Sequence, residues 1–345
     1  MAKMKTYNDD IQQIYEENLP WDTLSGTNIL ITGATGLIGS TLVEVLMSNP
    51  HRDYYVYASG RNLERARKRF ERFSSIESFH FVEYDVMSPL QMDVRFDYVI
   101  HAASNASPNA FSKSPVEIVK ANIYGVSNLI EYGIEHDMKR FLYVSSGEVY
   151  GESDGRIISE EYSGFVDCLN PRSCYPSSKR TAETLCASYA SEYGADVVIA
   201  RPCHIYGPNF TETDNRVYAQ FIRNILRGED IVMKSTGEQI RSWCYVVDCV
   251  SALLYILLKG VSGEAYNIAD PHSVLTIRQL AEMLATIGNT IVIMEVPSET
   301  EKKAYNPVTK SVYAVDKLEK LGWKVSENMN EKMRKTIEYL KDSLV

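Results

Sequence analysis

Short apolar runs recur along the first two thirds of the chain, separated by longer mixed segments. NILITG (Asn28–Gly33), YYVYASG (Tyr54–Gly60), FHFVEYDV, FDYVIHAAS, KRFLYVSS and ADVVIARP (Ala195–Pro202) are apolar on both faces and do not alternate. Such strands are covered on both sides, as in a parallel sheet flanked by helices. The segments between them fit helices: GATGLIGSTLVEVLMSN after the first strand, residues 62–73 after the second, and about 115–137 before KRFLYVSS. The alternation predicts an α/β fold with a doubly wound parallel sheet. Residues 1–27 precede the first buried strand and read as a short amphipathic helix, a break at Pro20 and a docked extension. After about residue 203 the rhythm changes. Short elements at Ile231–Met233, Arg241–Val247, Ala265–Ile268 and Ile291–Val296 mix with helices near 215–227, 247–259, 276–288 and 330–343. The expected organisation is an N-terminal extension (1–27), the doubly wound domain (28–203) and a smaller C-terminal α/β lobe (204–345). That lobe closes over the sheet's carboxyl edge, with room for the chain to cross back to the first domain.

Bulk properties narrow the function. The 345 residues are 45% apolar and 23% charged, a soluble globular composition with enough chain for a sizeable core. A net charge of −9 disfavours nucleic acid or an anionic membrane as the main partner. The basic cluster Gly60–Phe73 alternates with acidic residues at helical spacing and reads as a solvated face. Six cysteines without a CxxC pair argue for free thiols in a reducing compartment and against a disulfide framework or a metal site. The N-terminus has no signal-peptide core, and no apolar run approaches the roughly 18 residues of a span, so a cytoplasmic protein is expected.

Gly33, Gly36 and Gly39 in ILITGATGLIGS stand at a G-x-x-G-x-x-G spacing between a strand and a helix. Glycines let backbone approach a pyrophosphate, and the helix N-terminus offers free N–H groups and a positive dipole end. The turn predicts a bound dinucleotide on a Rossmann-type sheet. The second strand ends in Ala58, Ser59, Gly60 and Arg61, with no acid for a ribose diol. Arg61 is equally a partner for a 2′-phosphate or a solvated strand-end arginine, so NAD and NADP both stay open. Asp85 in YDV is placed to accept from an adenine amino group, or is simply a strand-end aspartate.

Tyr175 and Lys179 are four apart in a segment that reads as helix after Pro176, so both lie near one face. An ammonium beside a phenol favours the phenolate and makes a general base for an alcohol proton. SSGEVYG (Ser145–Gly151) lies upstream, at the end of an apolar strand.

With these pieces in place the chain resembles the extended short-chain dehydrogenase/reductases, and within them the nucleotide-sugar epimerases, dehydratases and decarboxylases. TGATGLIG, YDV, HAAS, KANIYG, SSGEVYG, the Tyr175/Lys179 pair, RPCHIYGP, GEQIRSWCYVVD and KLEKLGW carry the resemblance, from about Asn28 to about Leu340. It implies that Ser146 bonds the sugar O4, Tyr175 takes the O4 proton, and Lys179 holds the nicotinamide ribose. It implies cofactor contacts from Gly33, Thr35, Gly36, Leu37, Ile38, Gly39, Arg61, Asp85, Val86, Ala102, Ala103, Ser104, Asn122 and Pro202. It also implies substrate contacts from Gly147, His204, Arg216 and Arg241, the last gripping the diphosphate. NAD is the family's usual cofactor. A homodimer is implied through the helices near 115–137 and 175–193, although their apolar faces would fit the sheet equally well.

Glu148 divides the family's reactions. Simple 4-epimerases carry threonine there, whereas 4,6-dehydratases and UDP-glucuronate decarboxylases carry glutamate, placed to handle the C5 proton that a 4-ketone acidifies. Gly147 departs from both: it has no side chain to donate a proton. Decarboxylation needs least help, because a 4-keto uronic acid is a β-keto acid. The Arg172-Ser173-Cys174-Tyr175 run also resembles the decarboxylases. His204 replaces the family's asparagine. The expected function is therefore an enzyme that oxidises a nucleotide sugar at C4 and then acts at C5 or C6, by decarboxylation or 4,6-dehydration. A 4- or 5-epimerase, an NADP-dependent keto-sugar reductase and a non-catalytic cofactor-binding module are the alternatives.

Overall fold

The computed structural model describes residues 6–211, 214–295, 308–325 and 328–342. Residues 1–5 of the expected extension, Val296 of one expected strand and Ser343 of the last helix lie outside them.

Seven parallel strands form the central sheet, in the order β10-β6-β5-β4-β1-β2-β3. They are β1 (Asn28–Thr32), β2 (Tyr55–Gly60), β3 (Phe79–Glu83), β4 (Tyr98–His101), β5 (Arg140–Val144), β6 (Val197–Pro202) and, from the C-terminal third of the chain, β10 (Ala265–Ile268). The unalternating apolar runs have a direct structural meaning. Along β1, Ile29 and Ile31 enter one hydrophobic core while Leu30 enters the other, on the opposite face. All three are fully buried. Successive side chains point to opposite faces, so a strand covered on both sides has no polar position to spare.

Helices cover both faces. Helix α2 (Leu37–Ser48) lies on one side with Val246–Lys259, and α5 (Pro115–Glu135) and α6 (Cys174–Tyr193) pack together on the other. The basic segment after β2 becomes α3 (Leu63–Phe70), buried only at Ala66 and Phe70, and α4 (Pro108–Lys113) precedes α5. Strand order reverses between β1 and β4, which opens a crevice at their carboxyl ends.

The remaining strands build the smaller part. β7 (His204–Tyr206) follows β6 almost at once and pairs in parallel with β9 (Ile240–Tyr245), setting His204 opposite Trp243. β8 (Ile231–Met233) pairs with Val292–Met294. The two-residue strand Lys310–Ser311 also pairs with β9 and brings Tyr313 toward the carboxyl edge of the main sheet. Among the described residues no helix is long and apolar enough to cross a membrane.

Candidate active site

The glycine turn comes first in the chain. Gly33 has φ +68°, and a Cβ there would meet the Ala102 carbonyl oxygen at 2.6 Å. At Gly39 a Cβ would meet the Gly33 carbonyl oxygen at 2.4 Å. Both positions therefore need glycine. Gly36 caps α2 without any side-chain hydrogen bond, so the helix presents bare N–H groups to the crevice. Thr35, Leu37 and Ile38 complete this turn, while Ala102, Ala103 and Ser104 follow β4 and Pro202 ends β6, all at the carboxyl edge. The donor set and the shape suit a dinucleotide diphosphate.

Further along that edge, Arg61 follows β2 and Asp85 and Val86 follow β3. Arg61 is half exposed and pairs with Glu117 of α5 at 3.0 Å and with Asp85 at 3.9 Å. One cation thus faces two carboxylates. Asp85 also accepts from the Met87 N–H.

The catalytic candidates converge where the turn after β5 packs on α6. Ser146 ends the extended run from β5 and caps a single 3-10 turn, Gly147–Tyr150, by accepting from the Glu148 N–H at 3.2 Å. Helix α6 begins at Cys174, two residues ahead of Pro176, which sits in the first turn where its missing N–H costs nothing. Tyr175 and Lys179 are both buried on this helix. The Tyr175 ring stacks on Phe111 of α4, with centroids 4.8 Å apart. Asn122 of α5 accepts from the Ser104 hydroxyl and donates to Ser178, which ties the β4 end to α6.

The electrostatics differ from the expected pairing in one respect. Lys179 Nζ donates to the Val144 carbonyl at 2.8 Å and lies 5.8 Å from the Tyr175 ring centroid. Burial drives its pKa down to about 7, against the pull of Glu183. Burial and then the Glu148 charge push the Tyr175 phenol up to about 12, while Ser146, Arg216 and Ser104 act to lower it. Arg216, paired with Asp214 at 2.5 Å, is therefore the cation that acts on the phenol.

Glu148 is not a free surface carboxylate. Arg172 grips both its oxygens, at 3.1 and 3.2 Å, while stacking over Phe111 at 4.6 Å. Such a two-point contact fixes both partners. Arg172 comes from the 3-10 turn Pro171–Ser173, capped by Asn170, just before α6.

His204 lies against Trp243, and its Nδ1 has no partner among the described residues. Burial, then the charges of Arg241 and Arg216, lower its pKa to about 3, so the ring is neutral. Arg241 is buried, with Nη1 donating to the Ile240 carbonyl and Nη2 to the Val308 carbonyl. Its charge reaches Tyr313 and Glu148.

Ser146, Glu148, Tyr175 and Lys179 thus come together with Arg216, and Arg241 and His204 flank them. Arg61 and Asp85 stand apart, at the β2–β3 end of the edge. Two residues went unassigned by the motif reading. Arg172 was visible only as part of a run before Tyr175. Tyr313 lies between two short strand pairings that leave no periodic signal.

A Gly-rich βα turn, a switch-point crevice and a Tyr/Lys helix define a nicotinamide-dependent enzyme, and this chain belongs to the NAD dependent epimerase/dehydratase family, which it matches over residues 29–269. Among its relatives is UDP-glucuronic acid decarboxylase 1 of Xenopus tropicalis, 33% identical over 92% of this chain and 72% of that protein. UDP-glucuronic acid decarboxylase 5 of Arabidopsis thaliana is 32% identical over 89% and 87%. Of the solved structures, UDP-glucose 4-epimerase of Thermotoga maritima superposes with a TM-score of 0.79 at 28% identity, covering 92% of this chain and all of that one. The motif resemblance and the comparisons point to the same family.

Proposed function

We propose that this enzyme oxidises a nucleoside-diphosphate uronic acid at C4 and then releases C6 as carbon dioxide. The carrying observation is the Glu148–Arg172 pair beside Tyr175 and Ser146. A guanidinium held rigidly at this point suits a substrate carboxylate. A carboxyl group at C6 becomes β to the ketone once C4 is oxidised, so its loss leaves a delocalised enolate and requires no acid to assist departure. That agrees with glycine at position 147. The decarboxylases among the relatives add support.

In this reading Ser146 bonds O4 and Tyr175 takes its proton. Arg172 receives the carboxylate, with Glu148 holding the guanidinium in place at the C5–C6 end. Arg241 and His204 lie on the side of the diphosphate. Gly33, Gly36 and Gly39 cradle the dinucleotide, Asn122 and Ser104 shape the pocket wall beneath it, and Lys179 reaches its nicotinamide ribose. A nicotinamide held by these residues would supply a reversible hydride acceptor for C4.

The cofactor is read as NAD. Arg61 meets two carboxylates, so the site around it carries net negative charge and disfavours a 2′-phosphate. Helices α5 and α6 expose Tyr124, Ile134 and Tyr193, which supports a homodimer through that face.

Incubation of the purified protein with UDP-glucuronate and a panel of neutral nucleotide sugars, with products weighed by mass spectrometry, tests the reading. Loss of carbon dioxide from the uronic acid is the expected result. Loss of water from a neutral hexose, or a product of unchanged mass, contradicts it.

A further inference from the structure

Decarboxylation leaves one need that the groups assigned so far do not meet. Once C6 has gone, C5 must take up a proton. Gly147 has no side chain. Glu148 is committed at both oxygens to the Arg172 guanidinium. Tyr175 carries the O4 proton and must give it back when C4 is reduced. A serine such as Ser146 would leave a strongly basic alkoxide.

One more proton-bearing group reaches this turn. A Cβ added at Gly147 would stand 2.4 Å from the Tyr313 hydroxyl and 2.6 Å from its Cζ. The phenol therefore fills the place where a side chain between Ser146 and Glu148 would begin. It is locked there from several sides. Its backbone bridges to Ile158, its N–H donates to the Ser242 hydroxyl at 3.3 Å, and its ring lies 5.8 Å from that of Tyr150. Burial above all holds the phenol in its protonated form, and the Glu148 charge adds to this. The charge of the buried Arg241 guanidinium reaches both Tyr313 and Glu148.

We propose that Tyr313 is the proton donor to C5, acting from the space that glycine at position 147 leaves open. The assignment rests on the decarboxylase reading. In the step, the C5–C6 bond breaks, carbon dioxide departs, and the electron pair is delocalised over C5, C4 and O4. C5 then takes the proton from Tyr313 Oη, and the phenolate recovers one from water. One proton from solvent is consumed for each carbon dioxide released.

The test compares wild-type enzyme with Tyr313→Phe, using UDP-glucuronate and following two signals. One is the near-ultraviolet absorbance of reduced nicotinamide, which reports C4 oxidation. The other is formation of the nucleotide pentose, measured by mass. For Tyr313→Phe the absorbance should rise as fast as in wild type and then persist, while pentose formation falls by about 10²-fold. A folding defect would not produce that persistent reduced cofactor. Pentose formation by Tyr313→Phe at the wild-type rate overturns the assignment alone. So does loss of C4 oxidation itself in a variant with unchanged circular dichroism. Wild-type enzyme that releases no carbon dioxide overturns the decarboxylase reading and this assignment with it.

Discussion

A phenol that is to serve as the proposed base must first lose its own proton, and burial works against that at Tyr175. Its phenol stands at about 12, raised by burial and by Glu148. The cation that opposes them is Arg216, because Lys179 is turned toward the Val144 carbonyl. Tyr175→Phe should lower kcat by about 10²- to 10⁴-fold, the usual worth of a general base. Its ring still stacks on Phe111, so thermal unfolding should be little changed. Arg216→Met removes a charge that favours the phenolate. The ascending limb of kcat/KM against pH should then move to higher pH, whereas Arg216→Lys should keep it near the wild-type position. A limb unmoved by Arg216→Met would show that the cation does not tune the base.

Elements decide which residues can meet, and the cofactor edge shows this best. Arg61 follows β2 and Glu117 lies in the first turn of α5, yet they are 3.0 Å apart because both end at the same edge of the sheet. Both side chains are half exposed, so their pairing is worth at most about 1 kcal/mol. Glu117→Gln should free Arg61 for a 2′-phosphate and raise NADP affinity relative to NAD by up to about fivefold, measurable by fluorescence titration. An unchanged ratio would remove Arg61 from cofactor choice. The same logic explains what the sequence made legible. The inner strands of the main sheet are largely apolar because both faces are covered, as along Ile29–Ile31 and Phe141–Val144, and the Tyr175/Lys179 spacing needs only one helix. The Arg172–Glu148 pair joins two separate 3-10 turns, and Tyr313 meets Gly147 across a strand of two residues. Such contacts follow from tertiary packing and leave no local period to read. The change of rhythm at residue 203 is likewise a local signal, and β10 extends the main sheet from beyond it, as the allowance for crossings back expects.

Over the whole molecule, buried charge links the two ends of the described chain. Asp10 of α1 (Tyr7–Gln13) pairs with Lys335 in the C-terminal helix at 2.6 Å and accepts from the Tyr245 hydroxyl. Asp10→Ala would take this carboxylate away from the buried Lys335 ammonium and should lower stability by a few kcal/mol, seen as a lowered Tm. Acid should act more broadly. Burial lowers His101 and His204 from the ordinary imidazole range to about 3. Between pH 6.5 and 3 the unfolded chain therefore binds protons at these two sites that the native protein does not, and stability must fall as pH falls across that window. Asp248 works the other way. Burial raises it to about 6 despite Lys332, so between about pH 6 and 3.8 the native protein binds the extra proton and gains stability on acidification. At these three sites the two histidines outweigh the one aspartate, so together they contribute stability that is lost as pH falls. His101→Gln should remove one proton from the balance, flattening the urea-unfolding free energy between pH 6 and 4 by about 1.4 kcal/mol per pH unit. The same variant loses an imidazole hydrogen-bonded to Thr32 at 2.7 Å and should be less stable at pH 7, so the slope, not the level, is the diagnostic quantity. A slope equal to that of wild type would mean that His101 is protonated in the native protein and that its burial is relieved by a partner beyond Thr32.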